Sequence, residues 1–234
     1  SVKNVRLLGN GIGYVRITMF NGSVADDFAK ALERLDREGL SGVVVDLRDN
    51  PGGLLESAVA VAEQLLPQGR EIVTVRGRGG VEQHQRFDAG PCARRFTDLP
   101  MALLVNRGSA SAAEILAGAM QAHKRAVLVG EKTYGKASVQ SVISLSLRPD
   151  CAIILTTGYY HTPDGRMIHG QGIAPDIEVV VPQDEWRQAQ RKRLIEDMPG
   201  AASGGMAKMV EGIKDEQLER ARSILKGARI INGG

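Results

Sequence analysis

The 234 residues are enough for one large domain, or a domain with an appendage, around an ordinary buried core. A net charge of +3, from 30 basic and 27 acidic residues, gives no electrostatic case for a nucleic-acid or anionic-membrane partner. No apolar run approaches the roughly 18 residues of a membrane span, and no signal-like apolar block opens the sequence, so the expectation is a soluble chain, either unexported or already mature, without membrane insertion.

Strands and helices alternate along the chain, which predicts an α/β layer structure. "GIGYVRITMF" reads as a strand in which Tyr14, Arg16 and Thr18 alternate with Val15, Ile17 and Met19. "SVADDFAKALERLDREG" follows as a helix with a Ser23 cap, Phe28, Ala31, Leu32 and Leu35 on one face, and Gly39 at its end. "SGVVVDLR" is a short continuous apolar run that suits a buried strand, and after "DNPGG" the chain re-enters a helix, "LLESAVAVAEQLL". "GREIVTVRGRGG" predicts a strand leading into a polar loop that reaches to about Pro100. Then come a buried strand "MALLVN", a helix "SASAAEILAGAMQAHK" and another buried strand "RAVLVG". From Lys136 to about Val181 the pattern is all-β, with turns at "RPD", "TPDG" and "GQG". From Gln183 onward it is helical, with a break at "PGAASGG" and a last helix "DEQLERARSILKG". The boundaries expected are a core over 1–182 and a helical extension over 183–234.

Cys92 and Cys151 lack metal-ligand spacing, as do His84, His123, His161 and His169, so neither a metal nor a cofactor is expected. A Cys92 to Cys151 disulfide and two unrelated thiols both stay open.

"VGEKTYGKAS" has the outline of a phosphate-binding loop, with Gly130, Gly135 and Lys136 after a strand. The hydroxyl that should follow the lysine is replaced by Ala137, and the next stretch, "ASVQSVISLSL", favours an extended chain over a helix. A strand presents no helix N-terminus to phosphate, so Lys136 needs another use.

In "VNRGSASAAEI", Ser111 stands where a buried strand turns into a helix. Ser111 to Glu114 spell a capping box, Ser-x-x-Glu. The same geometry exposes the serine oxygen and aims the Ala112 amide and the helix dipole at whatever that oxygen attacks. A serine nucleophile needs a base. His123 sits about 18 Å away at the far end of the same helix, at 1.5 Å rise per residue. Lys136 follows the next buried strand, at the same end of the sheet, and an amine desolvated between apolar elements gives up its proton more readily. Gln140, four residues on in a strand, faces the way Lys136 faces and could orient its amine. Gly52 and Gly53, between a strand and a helix, offer free amides as a second oxyanion donor, or form a plain tight turn.

In this order, "DLRDNPGGLL", "VNRGSASAAEILAGAMQAHKRAVLVGEKTYGKASVQ", "LTTGYYHTPDGR" and "GQGIAPDI" resemble the carboxyl-terminal processing or tail-specific proteases, serine peptidases of the S41 type. The resemblance implies a core related to the Clp protease and crotonase folds, a spiral of β-β-α units, with a β-rich second half and a helical C-terminal segment. It puts the nucleophile on Ser111, the base on Lys136, the orienting glutamine on Gln140 and the oxyanion amides on Ala112 and the Gly52-Gly53 turn. It implies a serine endopeptidase acting on unfolded polypeptides or C-terminal tails, with self-association or an adaptor protein left open. An extracytoplasmic setting, the bacterial periplasm, goes with it and would suit the disulfide. The family's PDZ domain is not expected in this chain, which makes a latent core one alternative and a catalytically silent peptide-binding or ligand-binding relative another. Ala137, where a glycine usually follows the lysine, and His161, near where an aromatic is common, depart from the pattern.

Overall fold

The computed structural model describes residues 1–77, 84–91, 96–145, 148–198, 210 and 212–231, and among these described residues there are two sheets and five helices. In chain order the strands are β1 (Val2–Leu7), β2 (Ile12–Ile17), β3 (Gly42–Asp46), β4 (Glu71–Gly77), β5 (His84–Asp88), β6 (Met101–Val105), β7 (Val127–Gly130), β8 (Ser138–Leu145), β9 (Arg148–His161) and β10 (Ile177–Glu178). The helices are α1 (Val24–Arg37), α2 (Leu55–Glu63), α3 (Ala112–Ala122), α4 (Gln183–Glu196) and α5 (Glu216–Ile231). The larger sheet has the spatial order β1-β2-β3-β6-β7-β10, all parallel except β1. The smaller is antiparallel, β5-β4-β9-β8. The α/β class, the β-rich second half and the helical end are as expected.

The valine run of β3 is continuous because both faces of the sheet are covered. Phe28, Leu32 and Leu35 of α1, Val61 of α2 and Leu116 and Met120 of α3 pack on one face, with Val43 and Val45. Leu218, Ala221 and Leu225 of α5 pack on the other, against Ile12, Tyr14, Val44, Ala102, Leu104 and Val129. Burying a leucine such as Leu225 contributes about 2 kcal/mol.

All six residues of β2 are buried, and its Tyr14-Arg16 side faces the C-terminal helices. Three expectations change. Ser23 stands at the start of α1 but its hydroxyl donates to Asp27 Oδ2 (3.1 Å) and caps no amide. The segment read as a polar loop before Pro100 contains β5, whose main chain completes the edge of β4. The all-β tract begins at Ser138, so Lys136 precedes the strand. Cys151 is a free thiol, while Cys92 and the break at 199–205 lie outside the described residues.

A buried ion network joins the C-terminal helices to the sheet. The Arg48 guanidinium, 1% exposed, donates to Asp46 Oδ2 (2.6 Å), to both oxygens of Asp215 (2.8 Å each) and to Gln217 Oε1 (3.1 Å). Tyr14 donates to Asp46 Oδ2 (2.7 Å), Arg16 pairs with Asp197 (2.5 Å), and Arg193 pairs with Asp49 (2.9 Å). Burial alone would push the Asp215 carboxyl up, but the charge and hydrogen bonds of Arg48 outweigh it and hold it below the ordinary carboxylate range. Asp46 follows the same balance, burial opposed and outweighed by Arg48. Asp197 runs the other way: burial raises it, and its pairing with Arg16 does not overcome that.

A carboxyl whose folded value is lowered contributes stability that is present above its unfolded value, about 3.9, and is lost as pH falls through the folded value. Asp215→Asn should therefore cost about 3 kcal/mol at pH 7 by stripping Arg48 of a charged partner. The gap to wild type should narrow as the pH drops to 3. Urea denaturation at both pH values measures it, and an equal gap at the two would contradict the pairing.

Candidate active site

β3, β6 and β7 are adjacent and parallel, so the loops that leave their C-terminal ends meet at one edge of the sheet. These loops carry Gly52 and Gly53, Ser111, and Lys136. Hydrogen bonds between them, not helix contacts alone, set their relative positions. Ser109 Oγ donates to Leu47 O (2.8 Å) and accepts from Asn106 N (3.0 Å). Ala110 N donates to Asn50 O (2.9 Å), and Tyr134 N to Ser109 O (3.0 Å). Asn106 closes the arrangement from below, accepting from Asp49 N (2.9 Å) and donating to Asp49 Oδ1 (2.9 Å).

Ser111 has φ 56° and ψ −117°. This is the conformation of the first central position of a type II′ turn, which glycine normally occupies, and a side chain there is strained. It is held because its flanks are fixed on both sides: Ala110 by Asn50, and its own N–H by Glu114 Oε2 at 2.9 Å. Helix α3 starts at the next residue, and the Ala112 N–H, at the helix N-terminus, donates to no described group.

The two glycines differ. Gly52 N–H donates to Asn50 Oδ1 (2.8 Å), so it is engaged and not free as expected. Gly53 N–H has no acceptor among the described residues, because the bridge to Phe20 uses Gly52 O and Leu54 N instead. A Cβ on Gly52 would lie 2.7 Å from Ser111 Cβ and 2.9 Å from Ala112 N, and a Cβ on Gly53 would lie 2.1 Å from Phe20 O. Only glycines let this turn close on Ser111.

Lys136 is exposed and not desolvated between apolar elements as expected. The side-by-side reading of Lys136 and Gln140 assumed one unbroken strand. The strand instead begins at Ser138 and shifts register between Val139 and Gln140, and no described hydrogen bond joins the two side chains. Both Gln140 and Lys136 nevertheless lie on the segment running from the Ser111 edge into β8. The outline of a phosphate loop is accounted for: the Gly135 and Lys136 amides donate to Glu114, at 2.7 and 2.8 Å, where a nucleotide-binding loop would turn them to phosphate. His123 lies against Glu71 O (2.6 Å) and His161 against Tyr159 O (3.2 Å), while the His169 ring packs on Tyr159. Among the described residues no cluster of three or more His, Cys, Asp or Glu side chains could hold a metal.

The sequence credited Glu114 with a cap alone. In the structure it is fully buried (0% exposed) and also accepts from Thr133 Oγ1 (2.5 Å) and from the loop that carries Lys136. The "GQGI" stretch braces that loop from behind, Ile173 N donating to Thr133 Oγ1 (2.7 Å) and Thr133 N to Ile173 O (3.0 Å). Asn50 and Asn106 were also missed. Side-chain amides that fold back on neighbouring turns leave only the signal of an Asn or Asp near glycine.

A carboxyl-terminal-processing protease of Synechocystis sp. is 42% identical over 74% of this chain and 39% of its own length. A carboxy-terminal-processing protease of Bartonella bacilliformis is 42% identical over 79% and 42%. The chain thus spans about two fifths of the length of these curated relatives. Among solved structures, a photosystem II D1 C-terminal processing protease superposes with a TM-score of 0.66 at 33% identity, over 76% of this chain and 46% of that one. The profile of peptidase family S41 matches residues 11–179, from the start of the β2 strand to just beyond β10 and across all three loops of the site, and the chain belongs to that family.

Proposed function

We propose that the chain is the catalytic core of a serine endopeptidase that cuts unfolded polypeptides or C-terminal tails through an acyl-enzyme. The observation that carries this is the meeting of a strained Ser111 at the start of α3 with the Lys136 loop, their main-chain nitrogens both within 2.9 Å of one carboxylate oxygen. Ser111 Oγ attacks the scissile carbonyl as Lys136 Nζ takes its proton. The oxyanion forms between the Ala112 and Gly53 amides. The intermediate collapses, the leaving amine takes the proton from Lys136, and water, deprotonated by the same lysine, releases the acyl group. Gln140 orients the lysine amine when substrate covers the loop. Leu54, Met19 and Tyr134, next to Gly53, Phe20 and Gly135, are at least half exposed and suit an apolar peptide. The proposed setting is extracytoplasmic, the bacterial periplasm; no described helix is long and apolar enough to cross a membrane.

The exposure of Lys136 favours a second reading, in which the core is latent until a partner or a bound chain excludes water from the lysine.

Mass-spectrometric digestion of an unfolded test protein, and labelling by a fluorophosphonate, test both. Wild type should cut and label, Ser111→Ala should do neither, and Lys136→Ala should lose on the order of 10² to 10⁴ in kcat. Labelling of Ser111 without cleavage identifies the latent state, while an unlabelled and inert wild type sinks the peptidase reading. Gly52→Ala, which fills the space 2.9 Å from the Ala112 amide, should cut kcat by about 100-fold. A folded variant with wild-type kcat would contradict the oxyanion assignment.

A further inference from the structure

The Glu114 side chain has an unusual set of partners for a buried carboxylate. Oε2 accepts from the main-chain nitrogens of Ser111 (2.9 Å) and Lys136 (2.8 Å), and Oε1 from Gly135 N (2.7 Å) and Thr133 Oγ1 (2.5 Å). All four donors are neutral, and no described cation pairs with it. A capping box needs only the first of the four. The other three come from a loop 19 to 22 residues further along the chain, on a different strand of the sheet.

A buried anion is expensive to keep unless its hydrogen bonds are complete. Here completeness requires that the Ser111 turn and the Lys136 loop be at hydrogen-bond distance from the same oxygen at the same time. Moving either loop by about 1 Å would break a charge-assisted bond, and such a bond is worth about twice a neutral one. Thr133 is in turn fixed by Ile173 N at 2.7 Å, so the carboxylate is held from behind as well.

We propose that Glu114 is a positioning residue which sets the distance between the Ser111 hydroxyl and the Lys136 amine by fixing both residues through their main-chain nitrogens. The inference rests on Ser111 and Lys136 acting as nucleophile and base. It adds that the two do not find each other directly: their registration is made at the backbone, by a group that touches neither substrate nor reacting atoms. A displacement of about 1 Å at such a site is enough to lower a rate by about 100-fold.

Glu114→Gln keeps the size of the side chain but turns an N–H group toward one pair of donors, so the loops must separate or one pair goes unmet. Steady-state cleavage of a fluorogenic peptide, thermal melting and fluorophosphonate labelling are to be measured on wild type, Glu114→Gln, Thr133→Val, Thr133→Ser and Ser111→Ala. Wild type must cut and label, and Ser111→Ala must not; failure there removes the peptidase reading itself. Given that, Glu114→Gln is expected to fold, to keep KM within about twofold and to lose at least tenfold in kcat and in labelling rate. Thr133→Val should lose severalfold in kcat and Thr133→Ser, which keeps the hydroxyl, should recover most of it. A stabilising cap alone would lower the melting temperature and leave kcat of the folded enzyme unchanged. Wild-type kcat in folded Glu114→Gln overturns the proposal; should that variant not fold, wild-type kcat in Thr133→Val does so.

Discussion

The Arg48 guanidinium is the constraint on which the rest of the molecule leans. It is buried between the sheet and the C-terminal helices, and it can stay there only because Asp46, at the end of β3 two residues before it, and Asp215, far along the chain, both pair with it. Tyr14 completes Asp46 from β2, and Gln217 completes Arg48 from α5. One charged group therefore fastens two strands and the last helix at once. It also sits one residue before Asp49, which Arg193 of α4 holds by its carboxylate and Asn106 by its main chain and side chain. The turn that carries Gly52 and Gly53 thus starts from a point fixed on three sides.

From that point the site is built by small acceptors rather than by large side chains. Asn50 takes the Gly52 amide, Asn106 ties two loops, and Glu114 gathers four donors. The result is an edge of sheet where the amides are sorted: those of Gly52, Gly135 and Lys136 donate to side chains, while those of Gly53 and Ala112 have no acceptor among the described residues. On the proposed mechanism, chemistry at such an edge needs no deep pocket, because unengaged amides would serve as the oxyanion donors.

Much of this was readable from the sequence. Continuous valine and leucine runs in "VVVD" and "MALLV" gave buried parallel strands, and the position of Ser111 between a strand and a helix gave a candidate nucleophile. The failures have physical reasons. β5 has no apolar periodicity in "HQRFD" because it is an exposed strand defined by its main-chain pairing with β4. The alternation in β2 does not say what covers each side: Arg16 is buried by a partner 181 residues away that no local pattern announces. Lys136 was expected to be dry because it lies between apolar stretches, yet the bend at Gly135 and the late start of β8 leave it in solvent. Local pattern predicts the element. It does not predict which long-range contact will cover a side chain.

The distance along the chain between Asp215 and Arg48, 167 residues, has a consequence for how the molecule comes into being. Synthesis proceeds from the N-terminus, so β2, β3, β6 and β7 are all complete before α5 leaves the ribosome. Until then one face of the sheet, with Ile12, Tyr14, Val44, Leu104 and Val129, has no cover, and Arg48 has Asp46 but lacks its second anion, Asp215. Pairings this remote in sequence make for slow closure and a long-lived sticky intermediate. The loops of the candidate site hang from the same strands, so a nascent or truncated chain holds them on an unfinished frame. Under the proposed function, closure of the sheet only by α5 delays the moment at which such a core could attack the unfolded chains around it.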